Sequence, residues 1–168
     1  MNGTYRVTVA KDYLSFSSAH FITFRGHKCE SLHGHNYRVG VVVEGGVDAE
    51  CLFVLDFAVL KQIIKPMVDA VDHKVLLPTK NEKLRLHEEG ESLTVDYIGG
   101  RRFVFPRSDV ALVPVMNTTV EMLAEYFARQ VQAELLAAGY THLKRLDIEV
   151  EESPGQSASF DVSLDGKE

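Results

Sequence analysis

Apolar positions along the chain follow two periods. Tyr5 to Ala10 and Leu14 to Ala19 read as two pieces of a first strand. Tyr37-Arg-Val-Gly-Val-Val-Val-Glu44, rich in β-branched residues and closed by Gly45-Gly46, reads as a second strand, so the two predict a long hairpin. From Asp56 the period changes: Phe57, Leu60, Ile64, Met67, Val68 and Val71 recur at helical spacing, with Asp56 as N-cap and Pro66 expected to kink or interrupt the helix. Ser92 to Ile98 and Arg101 to Phe105 flank Gly99-Gly100 and predict a small hairpin within an inserted segment at about 80–114. A second helix is expected from Thr118, because Thr118-Thr-Val-Glu121 fits a capping box and Leu123, Phe127, Val131 and Leu135 follow on one face as far as Gly139. Alternation returns at Leu146, Ile148 and Val150, and again after Pro154-Gly155 at Ala158, Phe160, Val162 and Leu164, which predicts a closing hairpin. That order predicts an α+β fold, with a four-stranded antiparallel sheet carrying two helices on one face.

Composition narrows the function classes. The 168 residues read as one domain, without repeats or a low-complexity linker. A net charge of −6 and a pI near 5.6 offer no basic surface for nucleic acid or an anionic membrane, so a small molecule is the expected partner. The start of the chain has no basic region followed by an apolar run, and no stretch of about 18 apolar residues occurs, so the expected location is the cytoplasm. Cys29 and Cys51 are poor material for a disulfide framework; Cys51 is expected to be a small buried hydrophobe, and His27, His87 and His142 are expected at the surface.

The chemistry concentrates between residues 16 and 37. Phe16-Ser-Ser-Ala-His20 and Cys29-Glu-Ser-Leu-His33-Gly-His35-Asn-Tyr37 bring three histidines and a thiol close in sequence. In an extended segment His33 and His35 project from the same face, about 7 Å apart at roughly 3.3 Å per residue, and an antiparallel neighbour can bring His20 alongside. Three neutral imidazoles suit Zn²⁺ and leave a fourth position open for substrate or water. Two other readings stand beside this one: unrelated histidines serving hydrogen bonds, and a closed structural site with Cys29 as fourth ligand. On strand parity, Glu152 shares a face with Ile148 and Val150, whereas Glu149 and Glu151 lie on the opposite face, read as a solvated edge.

These residues, with Val54-Leu-Asp56-Phe-x-x-Leu-Lys61, Val71-Asp72-His73, Thr119-x-Glu121 and Val150-Glu-Glu152-Ser, resemble the 6-pyruvoyl-tetrahydropterin synthase and 6-carboxy-tetrahydropterin synthase family. The resemblance implies a T-fold, and a homo-oligomer, trimeric or hexameric, with active sites between subunits. It implies His20, His33 and His35 as zinc ligands, Cys29 as the proton-abstracting thiolate, and Asp72 and His73 as acid/base partners delivered from a neighbouring subunit. Glu152 is implied as the anchor of the pterin, with Thr119 helping to hold the ring. The spacing from Cys29 to His33 is similar to that of the 6-carboxy branch, associated with 7-deazapurine (queuosine) synthesis. The implied activity is conversion of 7,8-dihydroneopterin triphosphate to 6-carboxy-5,6,7,8-tetrahydropterin. The alternatives are the 6-pyruvoyl product, a non-catalytic pterin-binding homologue, or a zinc-stabilised assembly protein. The chain departs from the family pattern in its longer segment 80–114, in Thr118-Thr-Val-Glu-Met122, and in Ser153. Arg101, Arg102 and Arg107 of the extra hairpin are read as surface residues rather than phosphate ligands.

Overall fold

A computed structural model describes residues 3–9, 12, 14–26 and 28–165; His27 and Ala10 lie outside the described residues. The strands are β1 (Tyr5–Val9), β2 (Ser15–His20), β3 (His33–Gly45), β4 (Lys74–Pro78), β5 (Leu84–Glu89), β6 (Ser92–Tyr97), β7 (Arg102–Pro106), β8 (Val110–Val113), β9 (Leu143–Ser153) and β10 (Gln156–Ser163). The helices are α1 (Phe57–Asp69) and α2 (Val120–Ala137).

The long strand β3 organises the sheet. On one edge its first half pairs antiparallel with β2 and its second half with β1, so the two pieces read from the sequence do share one partner. Its other edge pairs with β9, which pairs with β10. This antiparallel part matches the expectation, and two strands that alternation did not announce extend it: β4 runs parallel to β2, and β8 parallel to β4. The result is a seven-stranded mixed sheet. Lys74-Val-Leu-Leu-Pro78 and Val110-Ala-Leu-Val113 carry short apolar runs with little alternation, as expected of strands covered on both sides, and their partners lie far away in sequence.

The inward stripe of the sheet is continuous. Tyr37, Val39, Val41 and Val43 of β3 and Leu146, Ile148 and Val150 of β9 are fully buried, packed with Leu60, Ile64 and Val68 of α1 and Leu123, Phe127 and Val131 of α2. At about 25 cal/mol per Å² of apolar surface, each such side chain contributes about 2 kcal/mol before the entropy of ordering is counted. The opposite β3–β9 face is polar, with Arg38 3.8 Å from Glu151; β9 is an interior strand, so these acids line a face rather than an edge.

Helix boundaries depart from the sequence reading in two places. Asp56 caps α1 as expected, its carboxylate accepting from the Ala58 N–H at 2.8 Å. The helix passes through Pro66 to Asp69: the proline is exposed and stands in the last turn, where its missing N–H leaves a carbonyl that water can reach. At α2 the N-cap is Thr119, whose hydroxyl accepts from the Met122 N–H at 3.4 Å, and the capping box expected from Thr118 does not form. Thr118 is fully buried and donates its hydroxyl proton to the Phe21 carbonyl at 3.1 Å instead.

The inserted segment is a three-stranded antiparallel sheet, β5-β6-β7, rather than a hairpin. Leu84-Arg-Leu-His-Glu-Glu89 hides its alternation among charges, yet Leu84 and Leu86 face Leu93, Val95 and Tyr97. Together with Phe21, Leu77 and Val110 they form a second apolar cluster, which ties the insert to β4 and β8.

Candidate metal and ligand site

Polar residues occupy the ends of the inward stripe. His33 and His35 have the parity of Tyr37 and Val39, and they continue the core-facing row of β3 beyond its apolar part. Antiparallel pairing sets His20 opposite His33, Ser18 opposite His35 and Phe16 opposite Tyr37. One nitrogen from each of His20, His33 and His35 lies within 4.8 Å of the others, so the three could hold one metal ion. Gly34 permits the approach of the strands: a Cβ there would stand 3.2 Å from the Ser18 carbonyl oxygen.

Hydrogen bonding assigns the tautomers. A carbonyl can only accept, so His20 Nδ1 carries the proton it shares with the Thr118 oxygen at 2.8 Å, and His33 Nδ1 donates to the Ser31 carbonyl at 2.9 Å. Each Nε2 is left with a lone pair, the arrangement that metal-bound histidines adopt. His20 Nε2 is buried without a partner among the described residues, which a metal ion would supply. Burial, with help from His33 and His35 against the opposing Thr118 carbonyl, lowers the His20 pKa to about 4, so the neutral, ligating form prevails at neutral pH.

Glu152 reaches the same place from β9. The register pairs Arg38 with Glu151 and so brings Glu152 level with Tyr37; its carboxylate stands 4.0 Å from His35 Nε2. Tyr37 is fully buried under the site, with its ring edge-on to those of His20 and His35 and its hydroxyl without a partner among the described residues; burial, and the carboxylates of Glu152 and Glu30, raise its pKa.

Other expected residues lie elsewhere. Asp72 accepts from the Ser17 N–H at 2.8 Å and stands 3.0 Å from His73 Nδ1, and the His73 N–H donates to the Ser17 carbonyl at 2.7 Å. Both contacts are to the Ser17 main chain, which points along the sheet, so the pair is anchored on the β4 edge of β2, the edge away from β3. There His73, whose side chain is 81% exposed, borders a groove of about 460 Å³ also lined by Ala19, Gly34, Asn36, Lys74 and His35 of the triad. The Ser17 N–H, followed by His73, holds the Asp72 carboxyl below its ordinary range. The Thr119 hydroxyl is occupied as the α2 cap.

Cys29 and Glu30 diverge. Cys29 forms a bridge to Thr23, and its side chain packs against the insert's apolar cluster beside Tyr97 and Arg101; burial pushes its thiol pKa up, with Arg101 pulling it back. Glu30 turns toward the histidines: its carboxylate accepts from the Ile22 N–H at 3.2 Å and stands 3.8 Å from His33 Nδ1. Sequence reasoning missed Glu30, although its three-residue spacing from His33 was a signal. It also missed the Thr118 carbonyl, which has no side-chain signal at all. Cys51 is exposed rather than buried, in a turn whose N–H groups bond to Asp48. His142 is part-buried, with Nε2 2.7 Å from the Val54 carbonyl, rather than at the surface.

Comparison with known proteins bears on the whole chain. The family model described as 6-pyruvoyl tetrahydropterin synthase matches residues 8–162. A Methanocaldococcus jannaschii protein, provisionally named 6-carboxy-5,6,7,8-tetrahydropterin synthase, is 34% identical over 154 residues, covering 92% of this chain and 93% of its own. The Plasmodium falciparum 6-pyruvoyl tetrahydropterin synthase structure superposes with a TM-score of 0.89 at 30% identity, over 96% of this chain and 99% of that one. A Plasmodium vivax 6-pyruvoyltetrahydropterin synthase in which a catalytic glutamate is replaced by alanine also gives 0.89, at 27% identity and the same coverage. No helix among the described residues is long and apolar enough to cross a membrane.

Proposed function

Since the chain belongs to the 6-pyruvoyl tetrahydropterin synthase family of lyases, we propose that it is a zinc-dependent enzyme converting 7,8-dihydroneopterin triphosphate to 6-carboxy-5,6,7,8-tetrahydropterin, in a 7-deazapurine (queuosine-type) pathway. The observation that carries this reading is the convergence of His20, His33 and His35 at the end of the inward stripe, with Glu152 beside them. Zinc is preferred over other metals because three neutral imidazoles and one open position suit its tetrahedral geometry. When bound, the ion supplies Lewis acidity toward the oxygens of the substrate side chain.

The chain's own residues do the rest. Glu152 accepts two parallel hydrogen bonds from the amino and ring N–H donors of the pterin and so orients it. Thr118 holds His20 in the ligating tautomer through its carbonyl. Cys29 removes a carbon-bound proton from the substrate side chain, a task for the thiolate. Asp72 and His73 exchange protons as a dyad contributed by a neighbouring subunit. The exposed position of His73 on the β4 edge of β2 supports this: in a homo-oligomer, trimer or hexamer, the dyad can reach a neighbour's metal site.

A second reading has Glu30 as the base, alone or beside Cys29. It is favoured by the Glu30 carboxylate standing 3.8 Å from His33 while the Cys29 side chain packs toward the insert. The catalytic glutamate of the Plasmodium vivax enzyme lends it further support.

Zinc-loaded protein incubated with 7,8-dihydroneopterin triphosphate, with products identified by mass spectrometry, tests both readings. The expected result is 6-carboxy-tetrahydropterin, acetaldehyde and inorganic triphosphate, lost in Cys29→Ala with zinc content unchanged. Release of the 6-pyruvoyl compound reassigns the branch. Turnover that survives Cys29→Ala and disappears in Glu30→Gln moves the base to Glu30. Substrate left intact by fully metallated wild type overturns the lyase assignment for this substrate.

A further inference from the structure

The three arginines of the insert differ in what they face. Arg102 makes two hydrogen bonds to the Asp96 carboxylate, at 2.6 and 3.1 Å, and Arg107 pairs with Glu88 at 2.7 Å. Arg101 instead leaves its own sheet: its Nη1 donates at 2.6 Å to the carbonyl oxygen of Glu30, 71 residues earlier. The Cys29 thiol donates to the same oxygen at 3.5 Å. One carbonyl therefore gathers the guanidinium of the insert and the thiol of the β2–β3 connection.

The guanidinium is held there from several sides. The Arg101 carbonyl accepts from the Tyr97 N–H at 2.8 Å, which closes the turn between β6 and β7. Its guanidinium carbon lies 5.9 Å from the centroid of the Phe103 ring, and Phe103 stacks on Phe21 at 4.8 Å. Phe21 directly follows His20, so the insert is tied by packing to the strand that carries the triad. Three charged or titratable groups surround the sulfur: Arg101 from the β6–β7 turn, Tyr97 from β6, and Glu30 from its own segment.

We propose that Arg101 is a positioning residue for Cys29, clamping the Glu30 carbonyl against which the thiol rests and setting a fixed positive charge beside the sulfur. The chemical consequence follows from the neighbours. Burial and the Glu30 carboxylate both disfavour the thiolate, and Arg101 is the group that opposes them. When the thiol ionises it loses its S–H donor to Glu30, while the guanidinium has further N–H groups to turn toward the anionic sulfur. The insert, longer than the expected family pattern, thereby takes a part in the chemistry of the site. This inference rests on the reading that Cys29 is the working base, and it is tested without turnover.

The test is the pH profile of iodoacetamide alkylation in zinc-loaded protein without substrate, read residue by residue by peptide mass spectrometry. Exposed Cys51 is the internal control. Arg101→Gln keeps a donor for the Glu30 carbonyl but removes the charge; Arg101→Lys keeps the charge. The expected result is alkylation of Cys29 slowed roughly threefold or more at neutral pH in Arg101→Gln, wild-type rates in Arg101→Lys, and unchanged Cys51 in both. A Cys29 profile in Arg101→Gln that coincides with wild type overturns the proposal, and so does an Arg101→Lys variant as slow as Arg101→Gln. Turnover retained by Cys29→Ala counts against Cys29 as the base and leaves the alkylation result untouched, so the two failures are distinguishable.

Discussion

His20 lies directly opposite His33 across the β2–β3 pair, with ring centroids 4.8 Å apart and Nδ1 of each ring donating to a backbone carbonyl. Both rings are thus committed to one tautomer before any ion arrives, and ligation costs little reorganisation. The expected outcome is one zinc per chain in wild type and substoichiometric metal in His20→Ala and His33→Ala, measured by elemental analysis. An ion held by the folded chain alone stabilises it by about 3 kcal/mol at a hundredfold excess over its dissociation constant. A chelator should therefore lower the melting midpoint of wild type and leave that of His33→Ala nearly unmoved.

Asp147 gives a pH dependence of the opposite sign to most carboxylates. Burial raises its pKa above 3.8; Asp161 and Glu149 add to the shift, and Arg145 and Arg6 oppose it. A raised folded-state value stabilises below the unfolded pKa, and that contribution is lost as pH rises through the folded value. At neutral pH the ionised Asp147 is therefore a cost. Asp147→Asn should raise the melting midpoint at pH 7, with the gain shrinking as pH falls into the ordinary carboxylate range.

Gly45 ends β3 where the register with β9 shifts. A Cβ there would stand 2.6 Å from the His142 carbonyl oxygen and 2.9 Å from the Leu143 Cα, both backbone atoms that cannot swing aside. Gly45→Ala is expected to cost about 3 kcal/mol in urea unfolding, the upper part of the range for overpacking. Gly139→Ala meets no neighbour within 4 Å but holds a positive φ of 78°, so its cost should be near 1 kcal/mol.

The proposed delivery of Asp72 and His73 across a subunit boundary predicts complementation. His33→Ala and His73→Ala should each lose turnover as homo-oligomers. Co-expressed, they should recover a fraction of wild-type activity, because some sites then combine an intact triad with an intact dyad. Activity that stays at the level of the single variants assigns the dyad to its own chain's site.

Much of the site was legible in the residue order because strand alternation is a local rule. Once β2, β3 and β9 are strands, parity alone puts His33, His35 and Glu152 on the face of Tyr37 and Val150, and pairing brings His20 beside them. Parity cannot say what meets that face from elsewhere. The carbonyl of Thr118 arrives from 98 positions away, and Arg101 from 71 beyond Glu30; neither carries a periodic signal. Likewise β4 and β8 are short apolar runs whose parallel partners are decided by long-range packing, and Leu84 and Leu86 mark β5 as a strand only when Leu93 and Val95 face them.

Residue order by itself determined the periodic elements, the face each presents and hence which imidazoles converge, because these depend on backbone geometry between near neighbours. Only the tertiary structure decided which way Cys29 and Glu30 part, which tautomer His20 adopts, and that the dyad is anchored on the Ser17 main chain. Those outcomes follow from burial and from hydrogen bonds between distant segments, which exist only when the whole chain is packed.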